Sequence, residues 1–249
     1  MMGKEIYYNN FGSKMVIIEY VNWDKVTVVF PEYNWESEYI SMGNIRKGKV
    51  KCPYEPRLCE VGYLGEGEYL TYDCINNQET KAYQHWKHMI NRCYNKKQLK
   101  ARPSYMQCEV CDEWLNFQNF AEWYEENYYE VEGEKMCLDK DILVKGNKIY
   151  SPETCIFVPE RINTLFVKSN KARGKYPIGV AKQNKKYKAT INKYGENVHL
   201  GYYNTPNEAF EVYKTEKEQY VKEIAEKYKN IIPQKLYEIM NDYNVEIED

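Results

Sequence analysis

The spacing of hydrophobic positions changes three times along the 249 residues. Up to about residue 70 apolar and polar positions alternate, in MVIIEY at 15–20 and KVTVVF at 25–30, and shorter pieces follow that are broken at Gly43, Gly48, Pro53, Pro56, Gly62, Gly65 and Gly67. Strand-forming β-branched and aromatic residues punctuated by turn formers predict a small antiparallel β unit, a compact barrel or curled sheet. From Lys81 the period becomes helical. Trp86, Met89, Ile90 and Cys93 share one stripe, and Trp114, Phe117, Phe120, Ala121 and Tyr124 share a second, with Glu122, Glu125 and Glu126 largely off it. Both aromatic stripes are read as core rather than as base-stacking platforms.

Two short apolar runs at 136–138 and 155–158 then read as strands separated by a polar excursion that Gly146 and Ser151-Pro152 can turn. A helix is predicted over about 159–167, started by Pro159 with Glu160 near the positive end of its dipole. After the basic linker KSNKARGK come three short strands and a long helix capped by Thr205, with Pro206 and Glu208 behind it. Ala209, Phe210, Tyr213, Lys217, Tyr220, Ile224 and Tyr228 line one stripe of that helix, and a last helix is expected over 234–243. The fold class is therefore α+β. Its expected parts are a small β-barrel-like unit (1–70), a central helical region with a strand, loop, strand, helix element (71–168), and a three-stranded sheet packed on a helix with a helical tail (169–249).

Composition narrows the functional classes. Hydrophobic residues at 43% exclude a disordered chain, and no apolar run approaches the ~20 residues that span a bilayer. With no apolar leader in MMGKEIYYNN, a cytoplasmic protein with no membrane partner is expected. Its eight cysteines then read as reduced thiols. Only Cys108 and Cys111 form a Cys-x-x-Cys pair, so structural zinc is not expected.

The net charge of −2 conceals segregation. Residues 80–105 carry seven Lys or Arg and no acid, residues 109–135 carry nine acids against one lysine, and residues 167–200 carry nine basic residues against Glu196. The two basic segments suit a phosphate backbone, and the acidic block should face away from it. Candidate DNA contacts are Lys87, Arg92, Lys171, Arg173, Lys175, Lys182, Lys185, Lys186, Lys188 and Lys193.

The string Trp86-x-x-Met89-x-x-Arg92-Cys93-Tyr94, then Cys108-x-x-Cys111-x-x-Trp114-x-x-Phe117-x-x-Phe120, then LDKDILVKGNKIYSPETCIFVPERIN resembles the phage-type HNH endonuclease-like proteins over about residues 81–168. The resemblance implies a ββα unit that holds one divalent metal, Mg²⁺ or Mn²⁺, for phosphodiester hydrolysis. By position it makes Asp139 a metal-binding acid, Asp141 a second ligand and Asn147 a loop residue that fixes the site. It departs at two positions. Lys140 stands where active members place the basic histidine, to contact phosphate or act as base, and Thr154 stands where they carry an asparagine. A lysine with an ordinary pKa of about 10.4 is a poor base at neutral pH. An active nuclease and a catalytically silent scaffold therefore both stay open.

A second stretch, Tyr176-Pro-Ile-Gly179-Val180, Tyr187-Lys-Ala189-Thr-Ile191, Leu200-Gly201-Tyr-Tyr203 and Thr205-x-x-Glu208-Ala209-Phe210-x-x-Tyr213, resembles the plant ethylene-response-factor (apetala-two) DNA-binding domain. It implies a sheet lying in the major groove with a helix packed behind it. Lysines where that family has arginine and tryptophan hold backbone better than they read sequence. Together the two resemblances imply a phage or mobile-element protein that binds duplex DNA and cuts or nicks it. The alternative is an inactive DNA- or protein-binding regulator or host-defence inhibitor, with a host protein as partner.

Overall fold

The computed structural model describes residues 5–167 and 175–247. It begins with four strands, β1 (Ile6–Tyr8), β2 (Lys14–Asn22), β3 (Lys25–Phe30) and β4 (Trp35–Ile40), then a short helix α1 (Met42–Arg46) and a hairpin of β5 (Tyr72–Asp73) and β6 (Gln78–Glu79). Helices α2 (Lys81–Tyr94) and α3 (Lys96–Ala101), strand β7 (Glu109–Val110), and helices α4 (Asp112–Leu115) and α5 (Phe117–Asn127) follow. The remainder runs β8 (Met136–Asp139), β9 (Ile149–Tyr150), β10 (Ile156–Pro159), α6 (Glu160–Leu165), β11 (Val180–Gln183), β12 (Lys186–Lys193), β13 (Glu196–Tyr203), α7 (Pro206–Tyr228) and α8 (Gln234–Asn241). The architecture is mixed α+β with several small sheets. No helix among the described residues is long and apolar enough to cross a membrane.

Two compact units result, Met1–Tyr128 with Asn147–Thr154, and Tyr129–Gly146 with Cys155–Asp249. The division runs through the segment expected as one central domain. Its helices group with the N-terminal sheet. Its strands β8 and β10 and its helix α6 group with the C-terminal sheet, because Ile156, Val158, Ile162 and Leu165 share one apolar cluster with Val221, Ile224 and Leu236.

In the first unit β1 to β4 form an antiparallel sheet in chain order. Met15, Val26, Val28 and Phe30 turn inward and meet Met42 and Ile45 of α1 with Val50 and Cys52. The barrel expected here does not close. β1 supplies only three residues and pairs with β2 alone, and β4 pairs with β3 alone, so the sheet is an open meander with two edges.

Beside this sheet Glu55, only 4% exposed, accepts hydrogen bonds from Asn9 Nδ2 (3.0 Å), Ser13 Oγ and Arg57 Nε (2.9 Å). Arg57 also donates to the Cys52 carbonyl at 2.9 Å and covers the Phe11 ring. Breaking one side of a buried ion pair leaves the other charge without its partner. Glu55→Ala is therefore expected to lower unfolding stability by about 3 kcal/mol, read by urea titration, with Glu55→Gln losing less because it keeps an acceptor oxygen.

The second unit is organised on α7. Thr205 Oγ1 accepts from the Glu208 N–H while the Glu208 carboxylate accepts from the Thr205 N–H, the capping box expected from the sequence. The buried face of α7, with Ala209, Phe210, Tyr213, Tyr220, Val221, Ile224 and Tyr228, packs under the three-stranded antiparallel sheet β11-β12-β13 and against α8. Close approach of sheet and helix needs small residues. Ala189 and Ala209 are fully buried, and a Cβ on Gly179, whose φ is +77°, would fall 2.0 Å from the Tyr213 ring.

Lys217 lies on the same stripe, between Tyr213 and Val221, and makes no ion pair among the described residues. Burial pushes its pKa down to about 8. Between pH 8 and the unfolded value near 10.4 the unfolded chain holds more protons, so stability rises with pH across that window. Lys217→Met is expected to raise stability by ~1–2 kcal/mol at pH 7, discounted for the residue's partial exposure. Thermal unfolding should show this gain fading as the pH climbs through 8 to 10.

Candidate nucleic-acid interface and carboxylate pair

In an antiparallel sheet, directly paired residues point to the same side, and successive residues alternate. Along β12, Tyr187, Ala189, Ile191 and Lys193 face α7, which leaves Lys186, Lys188, Thr190 and Asn192 on the other side. Their partners share that side: Gln183 opposite Lys186, Ala181 and Tyr202 flanking Lys188, and His199 opposite Thr190. A β-bulge between Ala189 and Thr190 accommodates one extra residue of β13 at Leu200. The bulge lets Leu200 pack on the core while His199 and Tyr202, on either side of it, stay outside.

The helix packed on this sheet, α7, lies against its other face. Tyr202 donates to Gln183 Oε1 at 3.1 Å and its ring lies 4.7 Å from that of His199. Lys186 and Lys188 on this face and Lys185 in the turn before β12 make no ion pair among the described residues, whereas Lys182, opposite Tyr187, lies on the helix side. Glu196, the one acid within β11 to β13, stands opposite Lys193 in register at the far end of the sheet, on the helix side. A basic, polar and aromatic surface of this kind can hold phosphates with its lysines and meet base edges with Gln183, Thr190 and His199.

The other predicted contacts are placed differently. Lys193 is held by Glu216 of α7 and lies over the Tyr220 ring, so it serves the sheet-helix junction. Lys87 donates to Glu79 at 2.6 Å and sits over Tyr83. The Arg92 guanidinium faces the Tyr150 hydroxyl, whose pKa is driven up mainly by burial and pulled back by that charge. Lys175 is exposed beside the Tyr176 ring. Lys171 and Arg173 lie outside the described residues.

β8 pairs antiparallel with β10, and α6 follows directly, which gives the expected strand, loop, strand, helix order. At the end of β8 the Asp139 Oδ1 accepts from the backbone N–H groups of Asp141 (2.8 Å) and Ile142 (2.9 Å), an Asx turn that bends the chain back. Burial first, then the neighbouring Asp141 charge, push the Asp139 carboxyl above its ordinary range, against the pull of the two N–H groups. Lys140 is turned inward, 6% exposed, with Nζ 3.6 Å from the Asp141 carboxylate, which is itself half exposed.

Asn147 and Thr154 belong to the other unit. Asn147 folds onto Ile149, donating to its carbonyl at 2.6 Å and accepting from its N–H at 3.2 Å, and Thr154 donates to that same carbonyl at 2.8 Å. Both side chains shape the turn into β9, which pairs in parallel with β7.

The structure thus brings Asp139, Lys140 and Asp141 together and adds His199, Tyr202, Gln183 and Thr190 to the basic sheet. The period-two run Lys186-x-Lys188-x-Thr190 could have signalled one half of that face. The other half depends on the register of β13. No protein-family model, curated protein or solved structure matches the chain significantly.

Proposed function

We propose that the protein binds duplex DNA through the face of β11 to β13 turned away from α7, and that the turn after β8 is a divalent-cation site of HNH endonuclease type that cuts or nicks the bound strand. One observation carries the reading: Lys186, Lys188, Thr190, Gln183, His199 and Tyr202 share the sheet surface turned away from α7, and Glu196 stands on the other side.

The residues at the turn fit Mg²⁺ or Mn²⁺. Asp139 and Asp141 place two hard oxygen donors side by side; burial first, and then the Asp141 charge, raise the Asp139 pKa, and a bound cation would offset the repulsion between the two. Among the described residues no group of three or more His, Cys, Asp or Glu gathers as a cage. Magnesium commonly takes one or two carboxylates and fills its shell with water and substrate phosphate. When bound it would supply Lewis-acid stabilisation of charge on the phosphate. The chain's own contribution is to fix Asp139 through the Asx turn and to hold Asp141 beside the Lys140 ammonium.

The second reading, a binder that does not cut, is favoured by the burial of Lys140 at the place of the expected base. Plasmid incubated with protein and Mg²⁺ or Mn²⁺, beside duplex binding measured over a salt series, separates the two. Cleavage supports the nuclease. Salt-dependent binding with intact plasmid supports the silent binder, and no duplex affinity at low salt removes both.

A further inference from the structure

The first unit carries a face of opposite sign. Residues 58–80 and 103–134 contain neither Lys nor Arg. Gln118 of α5 staples these two segments together, accepting from the Tyr69 N–H at 3.0 Å and donating to the Tyr69 carbonyl at 3.1 Å. The staple lays Glu68 beside α5, whose inner stripe of Phe117, Phe120, Ala121 and Tyr124 leaves Glu122, Glu125 and Glu126 exposed. Burial, then the carboxylates of Glu122, Glu68, Glu125 and Glu126, raise the pKa of the Tyr69 phenol. None of the four makes an ion pair among the described residues. At the rim Leu70 is 70% exposed.

We infer that the face of β11 to β13 turned away from α7 docks, when no nucleic acid is present, on this α5 face of a second copy of the chain, and that DNA competes for the same lysines. Charge complementarity commits the occupant. Among the described residues, Lys185, Lys186 and Lys188 on one side and Glu68, Glu122, Glu125 and Glu126 on the other make no ion pair, and each face offers an exposed apolar body, Tyr202 and Leu70. Contacts of this kind are weak, salt-sensitive and fast to form. Joining two different patches is heterologous, so association grows with concentration. Covering the lysines suppresses non-specific binding until a duplex displaces the second copy. Only the competition with DNA rests on the function proposed above.

Sedimentation of the full chain tests the contact. In about 50 mM salt the weight-average mass should rise above 29.9 kDa with concentration and return to it in about 500 mM salt. Lys186→Glu with Lys188→Glu should abolish the rise, as should Glu122→Lys, Glu125→Lys and Glu126→Lys together. All five reversals in one chain should restore it, which also shows that the reversed faces are folded. The neutral set Glu122→Gln, Glu125→Gln and Glu126→Gln should remain monomeric and bind labelled duplex roughly three- to tenfold tighter at low salt. A wild type that is monomeric at low salt, association indifferent to either reversal, or a folded fivefold variant that fails to associate overturns the inference. Charge-governed association without any duplex binding would instead overturn the DNA reading and leave this contact standing.

Discussion

Asp139→Asn is expected to lower metal-dependent plasmid cleavage by at least ~10²-fold while leaving duplex affinity and unfolding stability close to wild type. The substitution separates two roles of one side chain. An asparagine oxygen still accepts from the Asp141 and Ile142 N–H groups, so the turn after β8 is retained. The negative charge that a divalent ion requires is gone. Asp139→Ala removes both roles and should in addition lower the melting temperature, which makes the asparagine variant the informative one. Equal cleavage by wild type and Asp139→Asn would remove the carboxylate pair from the chemistry. Cleavage absent from both would leave the sheet as a binding surface alone.

Lys186→Glu with Lys188→Glu should weaken duplex binding roughly 10²-fold near physiological salt, since two phosphate contacts become two repulsions. Neutralising the same pair to glutamine should cost less and flatten the plot of log affinity against log salt by about 2 units of slope. Both side chains stand on the face away from α7, so neither substitution disturbs the core formed by Ala189 and Ile191. Lys193→Gln is the internal control. Its ammonium is held by Glu216, so the variant should change the salt slope little and the stability more. If Lys193→Gln and the Lys186, Lys188 pair lower affinity alike, net charge rather than the sheet face governs binding.

The parts of this fold set by local chemistry were legible in the amino-acid order. The Thr205–Glu208 capping box starts α7 where the sequence places it, and the stripes through Trp86 and Phe120 are buried as their spacing requires. Strands β8 and β10 fall within one residue of the two short apolar runs. Long-range pairing was not legible. Nothing local announces that the loop after β8 sends residues 147–154 to the first unit, where β9 joins β7. The open edge of the first sheet follows from the brevity of β1, which alternation alone does not reveal.

The site divides in the same way. Lysine spacing in β12 marked half of the basic face, while His199 and Tyr202 reach it only through the register of β13 and its bulge at Leu200. Conversely Lys87 and Lys193 counted as charge in the sequence but are held by Glu79 and Glu216, partners 8 and 23 residues away. Counting charge along a segment measures what is available. Which side chains remain outward is decided by pairing.

Chemical-shift mapping with a short DNA duplex shows directly which surface meets the nucleic acid. Amide and side-chain resonances of Gln183, Lys186, Lys188, Thr190, His199 and Tyr202 should move together as duplex is added and recover at high salt, while those of Phe210 and Ile224 on α7 stay in place. Perturbations confined to α2 and α3, or spread over α7 with the outer sheet face unchanged, would contradict the proposed interface.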